Sequence, residues 1–341
     1  MKFLKALFFL TTTLCIISCD NDVDINSDFE EVTLVYGLLD VNSDTQFVKI
    51  NRTFLDDQLS AIDLAKQVER TYYDSLTVSL TNEVTNAVIP LLEITKPKNP
   101  GIFSTEENVM YYTVEKLSPK TAYRLKIVKA DGSETYGSTT TIERVDVLNP
   151  KVVNGTNISR NNVSFTNRTS TAVTDYVFKF RPDRNVGEFE VKMTFFYTEE
   201  TPNGNIPGKV EMNISRFFPE LRDPTDFLLR EFTTPFKGEL FFRAIEEQVP
   251  SDDFPTKKVI KSTDNIEIEV YAADRDYTFY RELNGPIDGL AQTRPEFTNV
   301  ENGIGLFASR YSLIAKSQIS ESTTNYLIQR YRSSRNFSTE Q

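Results

Sequence analysis

Leu117-Ser118-Pro119-Lys120-Thr121-Ala122-Tyr123-Arg124-Leu125-Lys126-Ile127 is the stretch from which the fold of this chain can be read. Pro119 interrupts any regular element that precedes it. After it, Tyr123, Leu125 and Ile127 alternate with Arg124 and Lys126, the period of a strand with one face in a core and one in water. Asp131-Gly132 then predicts a tight hairpin turn, and Thr135–Glu143 a returning strand. Upstream, Tyr111–Val114 reads as a strand. Thr33–Asp40 and Gln46–Phe54 form a pair joined by the polar turn Val41–Asp44, and Leu76–Thr81 and Ala87–Thr95 follow the same period. Lys96-Pro97-Lys98-Asn99-Pro100-Gly101 is a loop. One segment has a helical period: Ala61, Leu64, Ala65 and Val68 make a stripe, with Ser60 as N-cap, so a short helix is expected over Ser60–Arg70.

The Leu-x-Pro-x-Thr-x-Tyr run at 117–123 resembles the corner between the E and F strands of fibronectin type III domains. That resemblance implies a buried Tyr123 whose hydroxyl reaches backbone near Leu117–Lys120. The expected architecture is mainly β: an Ig/fibronectin-III-like sandwich over 32–148, closed by Leu148-Asn149-Pro150, then a second β-rich domain over 149–335. In that second block, strands are expected at Val163–Phe165, Ala172–Arg181, Phe189–Thr198, Lys209–Phe217 and Ile266–Tyr271. The turns between them include Pro202-Asn203-Gly204 and Ile206-Pro207-Gly208. Leu221–Gln248 has no clear period. Asp274–Leu283 reads as a short helix capped by Asp274 and stopped by Asn284-Gly285-Pro286, burying Tyr277, Phe279, Tyr280 and Leu283. The tail, 336–341, is expected to fray.

Composition agrees with a β-rich chain. Its 341 residues include 25 Phe and 15 Tyr, with no histidine and no tryptophan. The length suits two domains of ordinary size. Without histidine the chain lacks the commonest general base and transition-metal ligand. The net charge of −11 disfavours nucleic acid and anionic surfaces as partners of the whole molecule.

The N-terminus sets the expected compartment. Lys2 and Lys5 give a positive start to an apolar run, Leu4–Ile17, that is shorter than the roughly 20 residues of a membrane-spanning helix and has the order of a secretory signal. Ile16-Ile17-Ser18-Cys19 resembles the lipobox of bacterial lipoproteins, which implies removal of residues 1–18 and lipid on Cys19. Loss of Lys2 and Lys5 would take the charge from −11 to −13. Cys15 leaves with the signal, so no disulfide can form, and a lipidated Cys19 accounts for the one remaining cysteine. Residues 19–31 then form an acidic tether. Asp20, Asp22 and Asp24 mimic the start of a calcium loop, but Ile25 stands where the turn requires glycine, so no metal is expected. The cluster resembles instead the surface-export signal of Bacteroidetes lipoproteins. The expected location is the outer membrane, lipid-anchored and surface-exposed.

No motif names a reaction. Gly303-x-Gly305-x-x-Ala308 has the spacing of a dinucleotide fingerprint, but β-favouring residues follow it where a helix is required, so it reads as a turn into a strand and no cofactor is expected. The carboxylate pairs Asp56-Asp57, Glu199-Glu200, Glu246-Glu247 and Asp252-Asp253 are adjacent in sequence, which on a strand sends them to opposite faces. The run Asn302-Gly303-Ile304-Gly305-Leu306-Phe307-Ala308-Ser309 follows a Tyr/Phe-rich helix. With Val35-Tyr36-Gly37-Leu38-Leu39 and Val48-Lys49-Ile50-Asn51-Arg52, it resembles a family of uncharacterised Bacteroidetes outer-membrane lipoproteins that is classified as a domain of unknown function. Ile304 departs from the glycine usual there. The resemblance implies a setting, because such genes often sit beside TonB-dependent receptors. Two functions are therefore expected in competition: a non-catalytic surface lipoprotein that docks on a TonB-dependent transporter, or an envelope adhesion or scaffold lipoprotein binding glycan, peptide or protein without one. The partner surface is expected on aromatic connections of the second domain, with Phe217, Phe218, Phe236 and Phe254 as anchors.

Overall fold

Alternation between residues 33 and 140 becomes seven strands: β1 (Thr33–Asp40), β2 (Gln46–Arg52), β3 (Leu76–Asn82), β4 (Val88–Lys96), β5 (Asn108–Thr113), β6 (Ala122–Lys129) and β7 (Glu134–Thr140). The computed structural model describes residues 30–340, apart from 55–58, 98–107, 154–155, 158–161, 220–230, 252–255 and 285–296. The first, second and fifth strands form one sheet, and the third, fourth, sixth and seventh the other, as expected of a fibronectin-III-like sandwich. Val35, Leu39, Val48, Ile50 and Tyr111 meet Val78, Leu80, Leu125 and Ile127 between them, all buried. β4 pairs with β3 through Val88–Leu91 and with β5 through Leu92–Lys96, so one strand joins both layers.

Tyr123 is 1% exposed. Its hydroxyl accepts from the Ser118 amide at 2.9 Å, within the expected Leu117–Lys120 corner, and from Asn82 Nδ2 at 3.4 Å. Tyr123→Phe leaves the ring in place but strands a part-buried amide, and is expected to cost about 1–2 kcal/mol in urea unfolding. Equal stability of the two proteins would remove the corner's structural role.

The expected helix at Ser60–Arg70 is two single turns, α1 (Ala61–Leu64) and α2 (Val68–Thr71). Ser60 Oγ accepts from the Asp63 amide at 3.2 Å, as an N-cap should. The Gln67 amide then bonds back three residues, to the Leu64 carbonyl, tightening and ending the first turn.

The rest of the chain supplies β8 (Val145–Asn149), β9 (Val152–Val153), β10 (Thr156–Asn157), β11 (Tyr176–Pro182), β12 (Val186–Thr201), β13 (Gly204–Phe217), β14 (Phe232–Phe236), α3 (Gly238–Gln248), β15 (Lys257–Ile260), β16 (Ile266–Asp274), α4 (Arg275–Asn284), β17 (Val300–Glu301), β18 (Ile304–Ser317), α5 (Glu321–Tyr331) and β19 (Phe337–Thr339). β8, β11 and β14 form a small sheet of their own. Its phenylalanines, Phe178, Phe180 and Phe236, meet Phe165, Phe189 and Phe217 in a cluster of edge-on, tilted and stacked rings. α3 presses Phe241 onto the same cluster, its ring 4.5 Å from Phe165.

Strands from the two halves share one sheet. β18 runs parallel to β1, from Leu34↔Ile304 to Asp40↔Arg310, and antiparallel to β16 on its other side. β17 pairs with β7. Phe307 of β18 is fully buried and fills the space left by Gly37 and Gly137, where a Cβ would come within 2.9 and 2.8 Å of its side chain. The expected boundary at Leu148-Asn149-Pro150 therefore lies inside one compact unit, Val32–Gln341, with one continuous hydrophobic core. Contact across the boundary comes from a strand about 270 residues after β1, which short-range pattern cannot anticipate.

Several local expectations are corrected. Ile206-Pro207-Gly208 is not a turn but part of β13, which carries Pro207 and Lys209 along the side away from β12. There the Gln248 side chain both donates to the Glu211 carbonyl and accepts from its amide, closing the ladder. Val163–Phe165 forms only an isolated bridge to Ile319. The tail does not fray: Phe337 is buried, β19 pairs with β15, and the ring packs on Tyr197 at 5.5 Å.

Candidate functional site

Of the four aromatic anchors expected from sequence, Phe254 lies outside the described residues. Phe236 belongs to the core, and Phe217, half-buried, packs against it. Phe217 stacks on Phe189 at 4.6 Å, and Phe236 is 4% exposed against Phe165 and Phe178. Both occupy strand positions, so the sheet directs them inward. Phe218 is exposed. Its ring lies 5.3 Å from the Arg216 guanidinium and 5.9 Å from that of Arg281, the two cations that bind the buried Glu188 carboxylate. It covers an internal ion-pair cluster.

Asp56-Asp57, Asp252-Asp253, Cys19 and nearly all of the tether also lie outside the described residues. Glu199 is held by Lys258 and Thr256, and Glu200 by Lys257. Glu246 is held by Arg330 and Tyr331. These ion pairs are structural supports. Among the described residues no group of three or more acidic or thiol side chains is placed to hold a metal ion.

The exposed aromatic chemistry gathers elsewhere, in a cleft of about 360 Å³ between the outer face of β1–β2 and α4. Its walls are Tyr36, Phe47, Tyr277 and Tyr280, with Leu38 and Leu306 beneath and Thr45 and Arg310 at its polar side. Alternation along β1 sends Val35, Gly37 and Leu39 inward, which leaves Tyr36 outward and 43% exposed. Tyr280 meets it edge-on: the ring centroids are 6.2 Å apart with planes at 77°, and the Tyr280 hydroxyl donates to that of Tyr36 at 3.3 Å. Burial, with that hydrogen bond second, pushes the Tyr280 hydroxyl up to about 12, so it stays protonated at neutral pH.

Among the described residues one cation, Arg310, lines the cleft, and two more, Lys96 and Lys49, stand beside it on the same sheet face. Lys96 Nζ sits 3.7 Å from the Phe47 ring centroid. Lys49, directly opposite Tyr36 in the sheet, donates to Asn108 Oδ1 at 2.9 Å, and burial lowers its pKa. Arg310 Nε lies 3.5 Å from Asp40, a buried carboxylate that also accepts from the Ser312 hydroxyl at 2.6 Å. Among the described residues no carboxylate lines the cleft. A larger groove, about 980 Å³ beside β8 and β18, is lined by Arg144, Asp146 and Lys151, with Arg144 Nε paired to Asp146 at 3.2 Å.

The α4 aromatics were expected as that helix's buried face. Thr278 is its one buried residue, tied to the Asp274 carbonyl at 3.0 Å, whereas Phe279 is 43% exposed and Tyr277 and Tyr280 are half-buried in the cleft wall. The signal for Tyr36 was present in the strict alternation of Val35-Tyr36-Gly37-Leu38-Leu39; nothing in the sequence showed that α4 would face it. No protein-family model and no curated protein sequence matches this chain.

Proposed function

We propose that this chain is a non-catalytic binding protein, anchored by lipid on Cys19 to the outer membrane and exposed at the cell surface, where it docks on a TonB-dependent transporter or hands ligand to it. The observation that carries the binding role is the aromatic cleft: an edge-on tyrosine pair, one ring from the sheet and one from the helix, open to solvent, with Arg310 and, among the described residues, no carboxylate in its lining. A site of this kind grips a ligand through ring faces and a few polar atoms, without an acid, base or nucleophile. The absence of histidine from the whole sequence agrees with that role. The anchor rests on the lipobox-like Ile16-Ile17-Ser18-Cys19 and on the acidic run behind it.

Membrane fractionation tests the anchor. Wild-type protein is expected to sediment with outer membranes and to carry acyl chains on Cys19, and Cys19→Ala to be released except for the fraction that a docked transporter retains. A membrane-bound wild-type protein whose Cys19 carries no acyl chain by mass spectrometry would overturn the lipoprotein assignment. Affinity purification of the wild-type protein from solubilised membranes tests the docking role: a TonB-dependent receptor is expected in the eluate, and its consistent absence counts against the transporter.

A further inference from the structure

The outward face of the first sheet is unusual for this chain. In a protein of net charge −11, the positions sharing Tyr36's face on β1, β2, β4 and β5 carry Lys49 and Lys96. The one acid among them, Asp40, is turned in, accepts from the Ser312 hydroxyl and pairs with Arg310 Nε at 3.5 Å, which leaves the outer edge of that guanidinium to a ligand. Arg310, on the neighbouring strand, keeps half of its side chain exposed at the cleft. The ligand chemistry that matches is therefore anionic, by charge complementarity.

The shape narrows it further. The cleft volume of about 360 Å³ sits near the lower end of small-ligand sites. Its walls are phenol rings, which offer flat faces to aliphatic C–H groups and hydroxyls that both donate and accept. An alkyl anion would leave those hydroxyls unused, and a bare inorganic anion would leave the ring faces unused. A pyranose ring uses both: its C–H face lies against tyrosine while its hydroxyls bond to phenol and threonine oxygens. Extending the reading of the cleft as a binding site, we infer that its ligand is an acidic saccharide. The sugar ring packs against Tyr36 in the corner made with Tyr280, and its carboxylate is directed to Arg310.

Isothermal titration of the purified full-length protein with tetragalacturonate tests this, with maltotetraose as the uncharged comparator. Tetragalacturonate is expected to bind, with maltotetraose at least about tenfold weaker. Tyr36→Ala should weaken tetragalacturonate at least about tenfold, and Arg310→Gln should reduce it to the maltotetraose level. Tyr280→Ala, which removes the helix side of the corner without touching the sheet, serves if Tyr36→Ala fails to fold. Equal binding of the two oligosaccharides overturns the acidic preference. Absence of binding, or binding that neither tyrosine substitution alters, overturns the saccharide assignment. If no sugar binds but Tyr36→Ala abolishes recovery of the transporter from membranes, the cleft is a protein-docking site. The saccharide inference then fails while the docking role stands.

Discussion

Gly305→Ala is expected to lose about 3–5 kcal/mol of stability, enough to leave much of the protein unfolded. Gly305 has φ +123°, a conformation outside the range of residues with a side chain, and a Cβ there would overlap the Val35 carbonyl oxygen. That carbonyl belongs to β1, the strand paired in register with β18, and Gly305 lies opposite Val35 itself. The methyl cannot be absorbed by a rotating side chain, because the obstacle is backbone. Relief requires the two strands to part, and with them the burial of Phe307 between the sheets. Gly132→Ala is the matched control. Gly132 also has positive φ, +83°, but nothing lies within 4 Å of an added Cβ, so only the conformational cost applies, about 1 kcal/mol. Urea midpoints of the two variants measure the difference. A Gly305→Ala protein no less stable than Gly132→Ala would show that β1 and β18 do not meet as described.

The second large effect is expected at Asp274. This carboxylate ends β16 and caps α4, accepting from the Tyr277 amide at 2.9 Å. Its other oxygen accepts from the Ser309 amide at 2.6 Å and the Thr139 hydroxyl at 2.9 Å. One side chain thus ties together α4, β18 and β7. Asp274→Ala removes a cap and leaves a buried amide and a buried hydroxyl without this partner, for an expected loss of about 3–4 kcal/mol. The same residue carries a pH signature. Burial pushes its pKa from 3.8 up to about 6, against the three hydrogen bonds that pull it down. Between those two values the folded protein holds more protons at this site than the unfolded chain. The contribution of Asp274 to stability is therefore greatest below pH 4, falls as pH rises from about 4 to 6, and is flat above. The fall is on the order of 2–3 kcal/mol. Other carboxylates titrate in the opposite sense: those of Glu134, Glu199 and Glu246 are lowered chiefly by hydrogen bonds to Lys126, Thr256 and Tyr331. The measurement is therefore the difference between wild type and Asp274→Asn across pH 4 to 7. That difference should shift against the wild type as pH rises; a pH-independent difference would mean the carboxyl titrates normally.

What the sequence determined by itself is local and one-sided. Period-two alternation around Tyr123, the Asp131-Gly132 turn and the Leu117–Tyr123 corner were sufficient for a sandwich, because each is enforced within a few residues by pleat, turn and a single hydrogen bond. The Asp274 cap was readable for the same reason, and so was the choice of a strand instead of a nucleotide loop after Gly303. Tertiary structure alone decided that β18 returns to lie beside β1, merging what read as two domains into one unit. Proline and glycine at 206–208 read as a turn, yet an edge strand has a side with no ladder to break, and there they fit. Phe217 and Phe236 read as surface anchors because their neighbours resembled loops, whereas the sheet they join points them into the aromatic core. The cleft is the clearest case. Tyr36 and Tyr280 lie 244 positions apart, and only the packing of α4 against the end of β18 and the face of β1 brings their hydroxyls to 3.3 Å. Alternation assigns a side chain to one face of its own strand; which element covers that face is set by long-range packing, which no short window of sequence contains.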